Sequence, residues 1–466
     1  MAREITTEEK ALAQELLGKA RAAMKQIEHF TQDQVDRACR AIAWATANEQ
    51  TAVKLANMSV DESGMGSREP TRRAKVLGIL RDALRQKSMG IIEEIPGKGI
   101  VKYAKPAGVI TSLIPVTSAY VTPAGVAIYA VKCKDAVIFA PHPASRNTTG
   151  EVVRIMRCAL KKLGFPEDIL QVVEKPSIPL SQELMAICDL TVATGGQAMV
   201  RAAYGSGKPA YGVGAGNATM VIDETANIAE AALNTRISKT NDYGSGCSAD
   251  GNLVIEASIF DAMLAQLQKE GGYLVNGEEK VKLQAAYWDE EGHRTPDTIA
   301  RPASTIAKKA GIDLPDGKTF FMVVEDQIGK QHLFSTEKLG VVLGIFKYDG
   351  FDDALDKVRQ IFEAGGKGHS CGIYSFNDDH INRLALMAPV SRIMVRQPQS
   401  RANAGHFTNG MPMTSSMGCG IWGGNITNEN IHLKHYMNVT WVSRPIPEDR
   451  PSDEELFGEF HNSEIF

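Results

Sequence analysis

Cys247 stands in SKTNDYGSGCSADGNLVIEA, a polar turn with two glycines that leads into a β-like run. Gly244 and Gly246 let backbone approach a bound molecule closely. A cysteine in such a turn can hold a lowered pKa, attack as a thiolate and offer its own backbone N–H to an oxyanion. The same spacing equally suits a small buried apolar thiol. His369, in GGKGHSCG, is flanked by glycines and belongs to the residue type that titrates in the range acid–base chemistry needs, although a lone loop histidine is commonly just solvated.

Two glycine-rich runs can face phosphates. GVGAGN spans Gly212 to Asn217 and is as compatible with a plain turn as with a phosphate cradle. ATGG, Ala193 to Gly196, follows the strand-like DLTV, and that position favours a turn toward a nucleotide. The PHP step at Pro141–Pro143 sets a rigid strand exit. Glu337, before the run KLGVVLG, has the spacing of an ordinary surface carboxylate.

The elements that must hold these residues fall into two series. From Thr6 to about Met89 apolar positions recur every three or four residues, a helical lead-in broken near Ser63–Gly66. From Gly99 onward short β-branched runs alternate with helical stretches, the pattern of βαβ units and a parallel sheet that binds nucleotides at its strand C-termini. A second such series starts near Ser238 and includes NLVIEA, TFFMVVED, GVVLGIFKYD, HSCGIYSF and RIMVRQ. The division expected is a coenzyme-binding domain over 1–237 with arm strands near 93–107, a catalytic domain over 238–415, and a return through 416–466. GKGIVKYAKPAG and YMNVTWVSRPI have the form of exposed extended arms, which commonly pair with another subunit.

Composition narrows the partners. Lys+Arg at 51 against Asp+Glu at 55 offers no basic field for nucleic acid. No uncharged apolar run reaches the roughly 20 residues that span a bilayer, and the charged N-terminus lacks a secretory apolar core. The seven cysteines are scattered without CxxC spacing, so neither a disulfide framework nor a structural metal is implied, and a reducing cytoplasm fits.

Taken in order, IFAPHP, VATGGQAMVRAAYGSGKPAYGVGAGNATMVIDETA, SKTNDYGSGC, GGYLV, EKLGVVLGIF, GGKGHSCGIYS and MGCGIWGGN resemble the CoA-acylating branch of the aldehyde dehydrogenase family, over nearly the whole chain. The resemblance implies a Rossmann-type coenzyme domain, an α/β catalytic domain and a β-arm for oligomerisation. It implies NAD or NADP as coenzyme, coenzyme A as cosubstrate, and a homodimer or homotetramer. Within the branch, TNDYGSGCSADGNL and NVTWVSRPIPEDRPSDEELFGE are most similar to acylating sulfoacetaldehyde dehydrogenases, with acetaldehyde, propanal or another short aldehyde as the alternative substrate.

Carried over position by position, the resemblance makes Cys247 the nucleophile, puts Glu337 on the nicotinamide ribose, and matches His369 to the branch's GGxGH histidine. Thr194, Gly195 and Gly196 would lie along the dinucleotide, with Pro141 and His142 on the adenosine side. Hydrolytic relatives keep a water-activating glutamate at a position that falls on Gly212, 35 residues before Cys247. Its absence favours attack by CoA over attack by water. The family's asparagine oxyanion donor falls on Ser118, so the oxyanion would rest on the Cys247 N–H with Ser118 or Thr117 assisting. For a sulfonate, which wants a planar cationic fork, Arg396 and Arg401 are the candidates, with surface arginines the plain alternative.

Overall fold

The computed structural model describes residues 3–462 and 464. Its lead-in is four helices: α1 (Thr7–Gln26), α2 (Gln32–Ala47), α3 (Glu49–Ser63) and α4 (Arg73–Leu84). Thr6 with Glu9 and Thr31 with Gln34 form capping boxes that start α1 and α2. Gly64, in the left-handed region, ends α3 and opens the break before α4.

Five parallel strands follow: β3 (Val109–Ile114), β4 (Ala136–Pro141), β5 (Leu170–Val172), β6 (Leu190–Thr194) and β7 (Ala210–Val213), after the arm strands β1 (Gly90–Ile95) and β2 (Ile100–Pro106). Their order is β5-β4-β3-β6-β7. The order reverses between β3 and β6, so a crevice opens at the carboxyl ends of those two strands, where doubly wound sheets bind dinucleotides. β3 and β4 are buried at every position, as expected of strands covered on both faces. The next helix, α5 (Val121–Lys132), is buried at every residue, and its Lys132 is balanced by an ion pair with Asp36 of α2.

The second sheet has seven parallel strands: β8 (Thr219–Ile222), β9 (Asn252–Glu256), β10 (Gly272–Leu274), β11 (Phe320–Val324), β12 (Val342–Tyr348), β13 (Cys371–Tyr374) and β14 (Ile393–Val395). They lie in the order β10-β11-β12-β9-β8-β13-β14, with one apolar core on each face. β8 belongs to this sheet, which corrects the expected boundary after residue 237: the crossover runs through 214–218. Gly214 and Gly216 fall between β7 and β8, where the chain leaves one sheet for the other.

The chain then returns to the first unit, where Met413, Ile431, Leu433 and Tyr436 join its core. It ends in β15 (Met437–Ser443), antiparallel to β2, which also pairs with β1. This three-stranded sheet leaves Val439, Trp441 and Val442 exposed on β15.

Candidate active site

Cys247 lies on the loop between the helix Ile228–Thr240 and β9, at the amino ends of β8, β9 and β13. The loop is strained before the cysteine: Asp242 and Tyr243 both hold φ 51°, a left-handed conformation that disfavours side-chain-bearing residues by roughly 1–2 kcal/mol each. Asp242 is clamped there by a hydrogen bond from the Ser67 N–H at 2.6 Å, one from the Ser245 hydroxyl at 2.7 Å, and an ion pair with Arg72. The connection between α3 and α4 thus holds the nucleophile loop. Gly216 is required from the other side, since a Cβ there would sit 1.9 Å from the Cys247 carbonyl oxygen.

His369 is buried, and its Nε2 lies 3.0 Å from the Cys247 Sγ. Its Nδ1 is 2.9 Å from the Ser370 hydroxyl. With Nδ1–H donating to that hydroxyl, Nε2 keeps its lone pair toward the thiol, the tautomer a base needs. Burial first, then the Arg392 charge, pushes His369 down to about 3, so the ring is neutral at physiological pH. Burial and the Glu337 and Cys419 groups push the Cys247 thiol up to about 12, with Arg392 pulling the other way. The resting pair is therefore a neutral thiol and a neutral imidazole.

Arg392 has no carboxylate partner among the described residues. Its guanidinium donates to the carbonyls of His369 (3.0 Å), Asn428 (3.2 Å) and Gly418, tying β13 to the 416–430 segment. Spacing in sequence gives no sign of this, because the three acceptors are main-chain atoms.

Glu337 has both oxygens engaged. Oε1 accepts from the Gly216 N–H at 2.9 Å and Oε2 from Arg294 at 2.9 Å. With Cys247 and the buried Lys239 and Lys338 it lines a cavity of about 220 Å³. A side chain at Gly212 would meet Val200 and Tyr204, and one at Gly214 would meet Gln197 at 3.3 Å and the Cys419 Sγ at 3.7 Å.

The crevice between β3 and β6 gathers the other expected residues. Thr117 and Ser118 form the turn after β3, and Pro141 and His142 leave β4 beside it, with the His142 N–H bonded to the Ile114 carbonyl. Thr194 ends β6, and its hydroxyl pairs with Ser416 at 2.7 Å. Gly195 and Gly196 then open the helix Gln197–Tyr204, whose N-terminus has no side-chain cap. A Cβ on Gly196 would meet nothing within 4 Å, so its backbone N–H groups stand open to a pyrophosphate. The residues present fit a dinucleotide.

The two arginines proposed for a sulfonate lie elsewhere. Arg396 follows β14 at its carboxyl end, where its N–H bonds to Ile373, about four residues or roughly 13 Å along β13 from His369. Its guanidinium is occupied by the Ser375 carbonyl and stacks 4.3 Å from the Phe376 ring. Arg401 is exposed on the one-turn helix Gln399–Ala402, and with Lys75 it helps burial hold His406 below its usual range. Neither lines a cleft beside Cys247.

A family model described as aldehyde dehydrogenase family matches residues 2–442. A sulfoacetaldehyde dehydrogenase of an Acholeplasma species is 43% identical over 449 residues, covering 95% of this chain and 93% of that one. An acylating sulfoacetaldehyde dehydrogenase of Bilophila wadsworthia is 41% identical, with 95% and 97% covered. Among solved structures, an acetylating aldehyde dehydrogenase from Geobacillus thermoglucosidasius superposes with a TM-score of 0.92 at 31% identity, covering 97% of this chain and all of its own.

Proposed function

The chain belongs to the aldehyde dehydrogenase family, and on that footing we propose that it is a CoA-acylating dehydrogenase converting sulfoacetaldehyde, CoA and NAD(P)+ into sulfoacetyl-CoA and NAD(P)H. The observation that carries the acylating chemistry is a thiol 3.0 Å from a neutral imidazole, with its neighbouring carboxylate Glu337 bonded at both oxygens.

In this scheme His369 takes the Cys247 proton on Nε2 as the sulfur adds to the aldehyde carbon. The resulting oxyanion is held by the Cys247 N–H, with the Ser118 or Thr117 hydroxyl at the turn after β3. Thr194, Gly195, Gly196, Pro141, His142 and Glu337 would hold the dinucleotide, which when bound would supply the hydride acceptor that lets the adduct on Cys247 become a thioester. CoA then attacks the thioester carbon as its thiol proton is lost to solvent, Cys247 leaves as the thiolate, and the proton held on His369 returns to it. Water competes poorly, because Glu337 is fixed by Arg294 and Gly216 and cannot turn to serve as a base.

We place the enzyme in the cytoplasm as a homodimer or homotetramer. The placement draws on seven cysteines that are all free and on the lack of any helix, among the described residues, long and apolar enough to cross a membrane. The exposed apolar side of β15 supports assembly through the arm. The test is NAD(P)H formation over an aldehyde panel with and without CoA. Turnover on sulfoacetaldehyde that requires CoA is expected; acid formation at the same rate without CoA would refute the acylating step.

A further inference from the structure

A second cleft, with about 280 Å³ of empty space, lies between the end of α3, the turn after β3 and the nucleophile loop. Its polar lining is Ser67, Glu69, Arg72, Thr117, Tyr120 and Asp242. It shares no lining residue with the cavity beneath Cys247 and Glu337. Arg72 is its cation. The guanidinium bridges both walls, donating to the Thr117 carbonyl on one side and to the Asp242 carboxylate and Ser245 hydroxyl on the other. Ser245 is two residues before Cys247, so the Arg72 fork grips the same loop that carries the nucleophile.

The geometry points to Arg72 as the residue that binds the sulfonate of the substrate and so selects an anionic aldehyde over a neutral one; this rests on the sulfoacetaldehyde assignment above. A sulfonate stays ionised at any pH the enzyme meets and only accepts hydrogen bonds, so its site must supply donors. Three of the five Arg72 N–H groups are engaged, which leaves two. The hydroxyls of Ser67, Thr117 and Tyr120 line the same cleft and donate to no group among the described residues, so their protons are available. Two carboxylates share the cleft with Arg72: Glu69 is exposed, where water screens its charge, and Asp242 is already paired. Its carboxylate is taken up by Ser67, Ser245 and Arg72, and it fixes the fork so that little side-chain freedom is lost when the anion arrives.

The experiment measures kcat/KM for sulfoacetaldehyde and propanal, with CoA and NAD(P)+ saturating, in the full-length wild type, Arg72→Gln and Arg72→Lys. A wild type that turns over propanal but not sulfoacetaldehyde overturns the substrate assignment itself. If the wild type favours sulfoacetaldehyde, the ratio of the two constants should fall at least a hundredfold in Arg72→Gln. It should fall at least tenfold in Arg72→Lys, which keeps the charge and loses the fork. An unchanged ratio in either variant, including equal losses on both aldehydes, overturns the role of Arg72 alone. Ethanesulfonate, which lacks an aldehyde, should protect Cys247 of the wild type from iodoacetamide and fail to protect either variant. Protection that survives both substitutions also overturns it.

Discussion

Replacing His369 by alanine removes the only base within hydrogen-bond reach of the Cys247 sulfur among the described residues. With burial holding the thiol near about 12, only ~10⁻⁴ of it is ionised at pH 8, so a variant without the imidazole depends on that small fraction. Transfer to a positioned base contributes typically ~10²–10⁴ in rate, or about 2.7–5.5 kcal/mol of barrier. The expected result is therefore a loss of that size in single-turnover NAD(P)H formation at pH 8. The pH dependence gives a second check. In His369→Ala the logarithm of the rate, and of iodoacetamide alkylation of Cys247, should rise by about one per pH unit from 7 to 10, because hydroxide must now remove the proton. In the wild type the profile should be flatter, with no break near 6.5, since burial and Arg392 keep the imidazole neutral far below that value. A loss smaller than tenfold, with the wild-type alkylation profile retained, would refute this division of labour.

Arg392→Met leaves the carbonyls of His369, Gly418 and Asn428 without their donor. At about 1–3 kcal/mol per unsatisfied buried group the urea-unfolding free energy should drop by roughly 3–5 kcal/mol, and a change below about 1 kcal/mol would contradict the assignment. Gly216→Ala drives a methyl into the Cys247 carbonyl, so kcat/KM should fall more than about a hundredfold while far-ultraviolet circular dichroism is kept; near-normal turnover would show that the loop yields. Glu337→Gln weakens the hold of Arg294 and should raise KM for NAD(P)+ without slowing CoA attack on a preformed Cys247 thioester; slowed attack would assign Glu337 to the second half-reaction instead.

Much of this architecture is legible in the residues. The alternation of β-branched runs with helical stretches gives two parallel sheets, and ATGG after DLTV lands at the crevice between β3 and β6. The segments around Cys247 and His369, 122 residues apart, meet at the amino ends of neighbouring strands. What sequence does not reveal is direction and depth. Arg396 sits beside a strand of the catalytic sheet, yet at the end opposite the thiol, and only the register of β13 against β14 fixes which end that is. Arg72 lies in a stretch whose spacing announces only helix. It reaches the nucleophile loop because α3 ends at Gly64 and turns α4 toward it, a tertiary fact with no local pattern. The domain boundary slips for a related reason, since pairing partners and not spacing assign β8 to the second sheet.

The most direct test is intact-mass and peptide mapping of protein treated with sulfoacetaldehyde and NAD(P)+ before CoA is added. One sulfoacetyl group on Cys247, released as sulfoacetyl-CoA when CoA follows and missing in Cys247→Ala, is the result expected. NAD(P)H formed in a single turnover with Cys247 unmodified throughout would contradict covalent catalysis at this thiol.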